Sequence, residues 1–271
     1  GLRATRQPYA IYEGWQGACM GGDSIKRMEW SDVSSILAEG GTVIGTARSA
    51  DFRTYEGRHR AAANLLEHGI DHLVVIGGDG SLSGTNEFRG EWAQHVAELA
   101  AEGIISPETA AAHPALIIVG IVGSIDNDMV GTDMTIGADT ALHRILDAID
   151  QLTSTAASHQ RTFVVEVMGR HCGYLPLMAA VAGGADYVFT PEDPAGPGWQ
   201  DDLAEHLRLG REAGRRESIV LVAEGAYDRD GNELSTQLIA DTIQERTGED
   251  ARVTILGHVQ RGGAPSAYDR W

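Results

Sequence analysis

Two carboxylates, Asp126 and Asp128, follow an apolar run at residues 116–119 through a short glycine-containing turn. An apolar run of this length predicts a strand that is buried on both faces. Charged groups just past the carboxyl end of such a strand lie where open α/β sheets bind ligands. One carboxylate can accept a proton while the second helps to hold a metal ion. The alternative is an Asx-rich turn whose acids are only solvated.

A glycine-rich turn with the sequence GGDGS, residues 77–81, follows a second apolar run at residues 72–76 and leads into helix-like sequence. Such a turn lets backbone N–H groups approach phosphates closely. The carboxylate of Asp79 within it is a suitable ligand for phosphate-bound Mg²⁺. Any tight connection between a strand and a helix could use the same glycines, so this turn is only moderately specific on its own.

Strands and helices alternate along the chain, which predicts mainly parallel sheets with helices on both sides. The predicted strands are residues 9–12, 72–76, 116–119, 163–167, 187–190, 219–223 and 253–256. The predicted helices are a segment capped by Ser31 that ends at residues 40–41, then residues 57–68, a helical stretch over 91–111 broken at Ser106 and Pro107, an apolar face over 142–152, and residues 234–247, ended by Gly248.

Composition narrows the class of protein. A net charge of −18 argues against binding to nucleic acid or to a membrane surface. Lys26 is the single lysine, so a phosphate site would be built from arginine, which stays charged and binds phosphate in a bidentate manner. Cys19 and Cys172 are too few for a disulfide framework, which fits a reducing compartment. We expect neither a secretion signal nor a membrane span.

Five segments resemble, in order, the motifs of ATP-dependent 6-phosphofructokinases. They are GGDGS at 77–81, GSIDND at 123–128, VMGR at 167–170, AEG at 223–225 and LGHVQRGG at 256–263. Ser124 and the extra helical stretch over 91–111 make the chain most similar to the eukaryotic, fungal-like type. The family pattern begins with a strand and a glycine-rich loop and continues beyond residue 271, so we expect a catalytic half truncated at both ends.

The resemblance implies a two-lobed α/β fold with mainly parallel sheets and the active site in the cleft between the lobes. Residues 1–137 plus 256–271 would form the nucleotide-binding lobe, and residues 138–255 the lobe that binds the sugar phosphate. It also implies an allosteric, glycolytic enzyme of the cytoplasm that acts as a homo-oligomer, normally a tetramer.

The reaction implied by the resemblance is transfer of the γ-phosphoryl group of MgATP to the 1-hydroxyl of fructose 6-phosphate. Asp126 would be the general base that takes the hydroxyl proton, and Arg170 would neutralise charge on the transferred group. Ser124 would hydrogen-bond the phosphoryl group or the sugar. Asp79 and Asp128 would hold Mg²⁺, although Asp128 could instead orient Arg170 or a backbone amide.

The resemblance assigns the remaining site residues to two groups. Those that would bind the sugar phosphate are Arg161, Met168, Gly169, Glu224, Arg252, His258 and Arg261. Those that would contact the nucleotide are Arg48, Gly78, Gly80 and Ser81. In the family, the residues matching Arg161 and Arg252 reach in from a neighbouring subunit. Alternatively, the arginines form surface ion pairs of little energetic value, and Met168 is core packing.

Two glycines indicate the phosphoryl donor. Pyrophosphate-dependent relatives carry Asp at the position of Gly80 and Lys at that of Gly123, whereas two glycines leave room for the α-phosphate of ATP. Pyrophosphate-dependent phosphofructokinase is therefore the second enzyme hypothesis. A lipid or NAD kinase shares the GGDG turn but should lack the motifs at 168–170 and 260–263. A non-catalytic module or fragment that binds sugar phosphate is the alternative from another class, and the presence of Asp126 argues against a regulatory half.

Overall fold

The computed structural model describes residues 7–271 and divides the chain into two compact units, Gly1–Gly123 and Ser124–Trp271. The division falls at residue 123, whereas the lobes predicted from the sequence change at residue 137 and include a return over 256–271. The assignment of the lobes to nucleotide and sugar phosphate stays a prediction.

The first unit contains two small sheets and four helices. Its strands are β1 (Tyr9–Ile11), β2 (Ile25–Arg27), β3 (His72–Gly77) and β4 (Ile117–Val122), and its helices are α1 (Trp15–Met20), α2 (Tyr55–Glu67), α3 (Asp79–Ala101) and α4 (Pro107–Ala112). Strands β1 and β2 pair antiparallel, while β3 and β4 pair parallel from His72 opposite Ile117 to Gly77 opposite Val122. The carboxyl ends of β3 and β4 therefore lie side by side.

Local sequence explains where the helices of this unit begin. The Thr54 side chain accepts a hydrogen bond from the Gly57 N–H at 3.0 Å and so caps α2. The Ser106 side chain caps α4 by accepting from the Thr109 N–H at 3.1 Å, with Pro107 in the first turn. The predicted break at these two residues is confirmed.

Two expectations about this unit are wrong: the burial of two strands and the helix that begins at Ser31. The strands at 72–76 and 116–119 exist, but they are not buried on both faces: Val74 and Val119 are largely exposed, while Leu73 packs in the core. Within residues 7–123, β3 and β4 pair only with each other, and the apolar core of the unit covers one face of them.

The predicted helix from Ser31 to residues 40–41 is two short 3₁₀ turns, Trp30–Val33 and Ile36–Ala38. Ser35 between them has a left-handed backbone with φ 69°, which interrupts an α-helix. Most of this segment is exposed, so no packed apolar face stabilises a longer helix.

The second unit is a four-stranded parallel sheet with helices on both faces. Its strands are β5 (Thr162–Val167), β6 (Tyr187–Phe189), β7 (Ser218–Ala223) and β8 (Ala251–Ile255), and its helices are α5 (Ala138–His159), α6 (Tyr174–Gly183), α7 (Trp199–Glu212), α8 (Thr236–Thr247) and α9 (Ala267–Arg270). The strand order is β6-β7-β5-β8, and every pairing is parallel. The strands and helices predicted in this region are confirmed, with ends shifted by a few residues.

Alternate residues of the central strands enter two separate cores. Val164 and Val220 pack with residues of α7 and α8, whereas Val165 and Leu221 pack with residues of α5 and α6. Burial on both faces explains why these strands read as continuous apolar runs. The predicted fold class, parallel sheets flanked by helices, is confirmed. Within residues 7–271, no helix has both the length and the apolar character needed to cross a bilayer.

Candidate active site

The turn at the start of the second unit carries Asp126. The Ser124 hydroxyl oxygen accepts a hydrogen bond from the Asp126 N–H at 3.3 Å and donates to Asp128 Oδ1 at 3.4 Å. The Thr135 hydroxyl donates to the Ser124 carbonyl, and the Thr135 N–H donates to Asn127 Oδ1 at 2.9 Å. Asn127 has φ 54°, a left-handed conformation that asparagine tolerates better than most residues. Side chains other than that of Asp126 therefore hold this turn.

The Asp126 carboxyl is buried, and its Oδ1 atom is unpaired among the described residues. Its side chain belongs to a residue only 4% exposed, and its Oδ1 atom accepts no hydrogen bond from the part of the chain that the structure describes. Burial raises the pKa of this carboxyl and the negative charge of Asp128 raises it further, while Arg261 and Arg170 lower it. A carboxylate whose proton affinity is raised by desolvation is suited to general-base catalysis. An Asx-turn role does not explain it, because the side chains of Ser124, Asn127 and Thr135 make the turn's hydrogen bonds.

The turn after β5 holds Arg170 in a left-handed backbone conformation, φ 55°. Gly169 before it has φ 151°, and a Cβ atom there would overlap the Cys172 carbonyl oxygen. A Cβ atom on Gly225 would lie 2.5 Å from the Arg170 carbonyl oxygen. Such backbone costs free energy and persists only where neighbouring structure enforces it, as it often does at functional sites. Two glycines therefore fix the position of Arg170, whose side chain is exposed.

The carboxyl ends of β5, β7 and β8 place several predicted sugar-phosphate residues at one edge of the sheet. Glu224 follows β7, and its N–H donates to the Val167 carbonyl at 2.8 Å. Met168 follows β5, and its N–H donates to Gln260 Oε1 at 3.1 Å. The exposed side chains of His258 and Arg261 lie in the turn after β8.

Gln260 is a positioning residue that the sequence reasoning quoted only as part of a motif. It is buried, and its Nε2 atom donates to the Gly257 carbonyl at 2.9 Å. It thus ties the turn after β8 to the end of β5. The sequence around Gln260 has no helix or strand periodicity, so it gives little indication of this role.

Arg161 and Arg252 are not brought to this edge. They lie at the amino ends of β5 and β8, and both contact the same oxygen, Asp250 Oδ2, at 2.8 and 2.9 Å. Strand β5 has six residues, so it separates its two ends by roughly 20 Å. Within one chain, these arginines therefore lie at the opposite edge of the sheet from Arg170 and Glu224.

In the first unit, the glycine-rich turn joins β3 to the long helix α3, as predicted. Gly78 precedes the helix, Asp79 is its first residue, and the Ser81 N–H donates to the Gly78 carbonyl at 3.0 Å. A Cβ atom on Gly80 would have open space around it. Free N–H groups at a helix N-terminus favour an anion such as phosphate. Arg48 is exposed in a segment without regular secondary structure.

The carboxylates of Asp79 and Asp128 are exposed and weakly engaged. Each accepts one long hydroxyl hydrogen bond of 3.4 Å, from Ser83 and from Ser124 respectively. Neither forms an ion pair within residues 7–271, so Asp128 does not pair with Arg170 there. Their free oxygens fit the preference of Mg²⁺ for one or two carboxylates together with water and substrate phosphates.

Comparisons with known proteins identify the family of this chain. The human liver-type ATP-dependent 6-phosphofructokinase is 55% identical over 270 residues, which is all of this chain but 35% of the relative. The structure of phosphofructokinase from Saccharomyces cerevisiae matches with a TM-score of 0.95 and 54% identity, over 98% of this chain and 36% of that one. The chain thus spans about a third of the length of these relatives. The near-equal identities support the eukaryotic type and do not separate fungal from animal members.

A pyrophosphate-dependent phosphofructokinase from Marinobacter aquaeolei has a TM-score of 0.72 at 20% identity, over 97% of this chain and 63% of that one, which shows a shared fold alone. A family model described as phosphofructokinase matches residues 1–271. The five motifs, the parallel sheets and these matches agree, and the chain belongs to the phosphofructokinase family.

Proposed function

We propose that the protein carrying this chain transfers the γ-phosphoryl group of ATP to the 1-hydroxyl of fructose 6-phosphate, giving fructose 1,6-bisphosphate in the cytoplasm. The observation that carries this proposal is the state of Asp126: it is buried, and its Oδ1 atom has no hydrogen-bond partner within the described chain. Burial raises the pKa of its carboxyl, although the charges of Arg261 and Arg170 act in the opposite direction. A base and the cations needed to stabilise a transferred phosphoryl group thus occur on three turns of the second unit.

Each site residue has a proposed role. Asp126 takes the proton from the sugar hydroxyl, and Ser124, which shapes the turn, hydrogen-bonds the phosphoryl group or the sugar. Arg170 neutralises charge on the transferred group. Asp79 and Asp128 would hold Mg²⁺, which supplies charge neutralisation at the phosphates when bound.

ATP is the favoured donor because of the glycines near the two strand ends. Space beside Gly80 accommodates the part of a nucleotide that pyrophosphate lacks, and the start of α3 offers free N–H groups near it. Gly78 and Ser81 border the same turn, and Arg48 would add a positive charge to the nucleotide site. The ATP-dependent names of the relatives at 55% identity support this choice over pyrophosphate.

The sugar phosphate would be bound by Met168, Gly169, Glu224, His258 and Arg261 at the carboxyl edge of the sheet. Arg161 and Arg252 lie too far along the strands to join these residues in the same chain. Their position at the opposite edge supports a homo-oligomer, in our proposal a tetramer, in which they complete the site of a neighbouring copy.

The test replaces Asp126 with Asn in the natural gene product that carries this sequence, with Asp128→Asn as the matched control. We expect Asp126→Asn to lower kcat by about 10²–10⁴-fold while fructose 6-phosphate binding, measured by calorimetry, is retained. We expect Asp128→Asn to shift the Mg²⁺ dependence to higher concentration and to recover part of its activity there. Near-full kcat in Asp126→Asn contradicts the assignment of the base. Binding without turnover in the unmutated protein supports the non-catalytic module instead.

A further inference from the structure

A pair of histidines in the first unit lies apart from every residue assigned above to the reaction. His59 on α2 and His95 on α3 face each other with their Nδ1 atoms 3.2 Å apart. His95 is fully buried, and His59 is largely buried. Glu98, one turn after His95, places its Oε2 atom 3.7 Å from His59 Nδ1. We call His59, His95 and Glu98 the histidine cluster.

The other ring nitrogens of the pair lie close to carboxylates. His95 Nε2 is hydrogen-bonded to Glu91 Oε2 at 3.3 Å, and His59 Nε2 lies 3.5 Å from Glu102 Oε2. A carboxylate can only accept, so the proton of His95 belongs on Nε2, and its Nδ1 atom is a bare lone pair. If His59 has the same tautomer, two lone pairs face each other at 3.2 Å, an arrangement that needs a cation between them.

The opposite tautomer of His59 is poorly satisfied. It would donate from Nδ1 to His95 but leave a bare Nε2 lone pair directed towards the Glu102 carboxylate. That Nε2 atom is buried and has no hydrogen-bond partner among residues 7–271, and an unmatched buried polar atom of this kind is costly. The two species that resolve the conflict are a proton, which makes His59 an imidazolium, and a metal ion bound to both Nδ1 atoms.

The geometry is close to that of a tetrahedral metal site. Ligand atoms 2.0–2.1 Å from Zn²⁺ in a tetrahedron are separated by about 3.3 Å, and the two Nδ1 atoms are already at 3.2 Å. The candidate ligand atoms of His59, His95 and Glu98 all lie within 4.8 Å of one another. The Glu98 side chain is 40% exposed, so it is free to move closer to the two Nδ1 atoms, and water can reach the fourth position.

The surroundings also have the pattern of an outer coordination shell. Metal-bound histidines usually donate their other N–H to a carboxylate, as His95 Nε2 can to Glu91 here, and the Glu102 carboxylate lies 3.5 Å from His59 Nε2. Glu98 is oriented by the Tyr55 hydroxyl, which donates to its Oε2 at 2.6 Å, and by Gln94, which donates to its Oε1 at 2.8 Å.

We propose that the histidine cluster binds a divalent transition metal ion, Zn²⁺ in the first instance, through His59 Nδ1, His95 Nδ1 and Glu98, with water as the fourth ligand. Two imidazoles and one carboxylate suit zinc and disfavour Mg²⁺ and Ca²⁺, which prefer oxygen ligands. The ion would link α2 to α3 and stabilise the unit that carries the glycine-rich turn at the start of α3. Its role is structural and independent of the reaction proposed above.

The experiment titrates Zn²⁺ into the tag-free, metal-stripped chain at pH 7.5 in competition with a chromophoric chelator. We expect one equivalent to bind. His59→Gln and Glu98→Gln should each weaken binding by about 10–100-fold or more, the range known for perturbed metal sites. His143→Gln is the matched control, because His143 is an exposed helical histidine near a carboxylate, and it should bind Zn²⁺ like the unmutated chain. Glu98→Gln keeps the test valid if a histidine variant folds poorly, since its side chain is partly exposed.

Two further readouts separate a metal from a proton. Zn²⁺ should raise the Tm of the unmutated chain and of His143→Gln but not that of His59→Gln, because a ligand that binds only the folded state stabilises it. Co²⁺ in the same site should show the visible absorption bands of tetrahedral coordination. The proposal is overturned if the unmutated chain binds no stoichiometric Zn²⁺ while ¹⁵N spectra show His59 as an imidazolium. Equal Zn²⁺ affinity in the unmutated chain, His59→Gln and Glu98→Gln also overturns it.

Discussion

Replacing Gly225 with Ala should reveal how tightly the turns around Arg170 are packed. Gly225 has φ 80°, and its missing Cβ atom would lie 2.5 Å from the Arg170 carbonyl oxygen, a separation at which the backbone must shift. Two costs therefore combine. A left-handed conformation costs a residue with a Cβ atom about 1–2 kcal/mol, and forcing an extra carbon into a packed site typically costs about 1–3 kcal/mol. We expect Gly225→Ala to lower the free energy of unfolding by roughly 2–5 kcal/mol.

Two other glycines of the same unit separate these costs. Gly248 has φ 75° but open space around its missing Cβ atom, so Gly248→Ala should lose only the conformational part, about 1–2 kcal/mol. Gly210 lies inside α7 with a flexible arginine side chain as its nearest neighbour. Gly210→Ala should therefore raise the free energy of unfolding by up to about 0.5–1 kcal/mol through helix propensity. The difference between Gly225→Ala and Gly248→Ala isolates the contact with Arg170.

The assay is thermal unfolding by calorimetry with urea unfolding as a second measure. One kcal/mol corresponds to about 2–4 °C in Tm for a domain of 150–250 residues, so the Tm of Gly225→Ala should be lower than that of the unmutated protein by roughly 4–20 °C. An equal loss in Gly225→Ala and Gly248→Ala would refute the steric argument, because it would mean that the Arg170 carbonyl moves aside at no cost.

The remaining predictions concern charge. Asp126→Asn should raise Tm at pH 7: burial holds the pKa of Asp126 above its ordinary value of 3.8, so the folded state binds the proton more tightly and loses stability as pH rises through the folded pKa. The gain should vanish below pH 3.8, and a lower Tm at pH 7 would contradict the burial argument. Gly80→Asp should abolish ATP use in a coupled assay while fructose 6-phosphate binding and folding are retained, since the new side chain meets open space in the protein; unchanged kinetics with ATP would refute the donor assignment. The KM for fructose 6-phosphate should rise roughly 10- to 150-fold in Arg161→Ala and in Arg252→Ala, because each loses about 1.5–3 kcal/mol of binding free energy. The Tm of each should change little, because exposed ion pairs contribute about 0–1 kcal/mol to stability. An unchanged KM in both variants would remove them from the sugar site.

Sequence predicted well those features that depend on local patterns. The strands of the second unit read as apolar runs because helices cover both faces of the sheet. Helix ends followed cap chemistry, as at Ser106 and at Gly248, which has a left-handed φ of 75°. The five motifs located the turns at the strand ends because each motif lies next to a strand in the chain.

Features set by distant residues could not be predicted in this way. The exposure of Val74 and Val119 depends on how many strands pair beside them and on which face the helices cover. Gln260 acquires its role only because β8 returns beside β5. The contact between His59 and His95 joins residues 36 positions apart on two helices, and the spacing of His95 and Glu98 on α3 does not by itself identify His59 as their partner.

The placement of Arg161 and Arg252 gives the strongest link between the fold and the proposed assembly. Parallel strands give their sheet two chemically distinct edges, and ligand-binding groups normally gather at the carboxyl edge. Both arginines lie at the amino edge, where the only anion that the described chain offers them is the shared oxygen of Asp250. Two guanidinium groups converging on one exposed carboxylate oxygen have donors to spare, since each carries five N–H groups. A surface ion pair needs one arginine for one carboxylate, whereas a phosphate group offers enough oxygens for two. The excess of donors therefore favours a phosphate brought by another copy of the chain over a purely local ion pair.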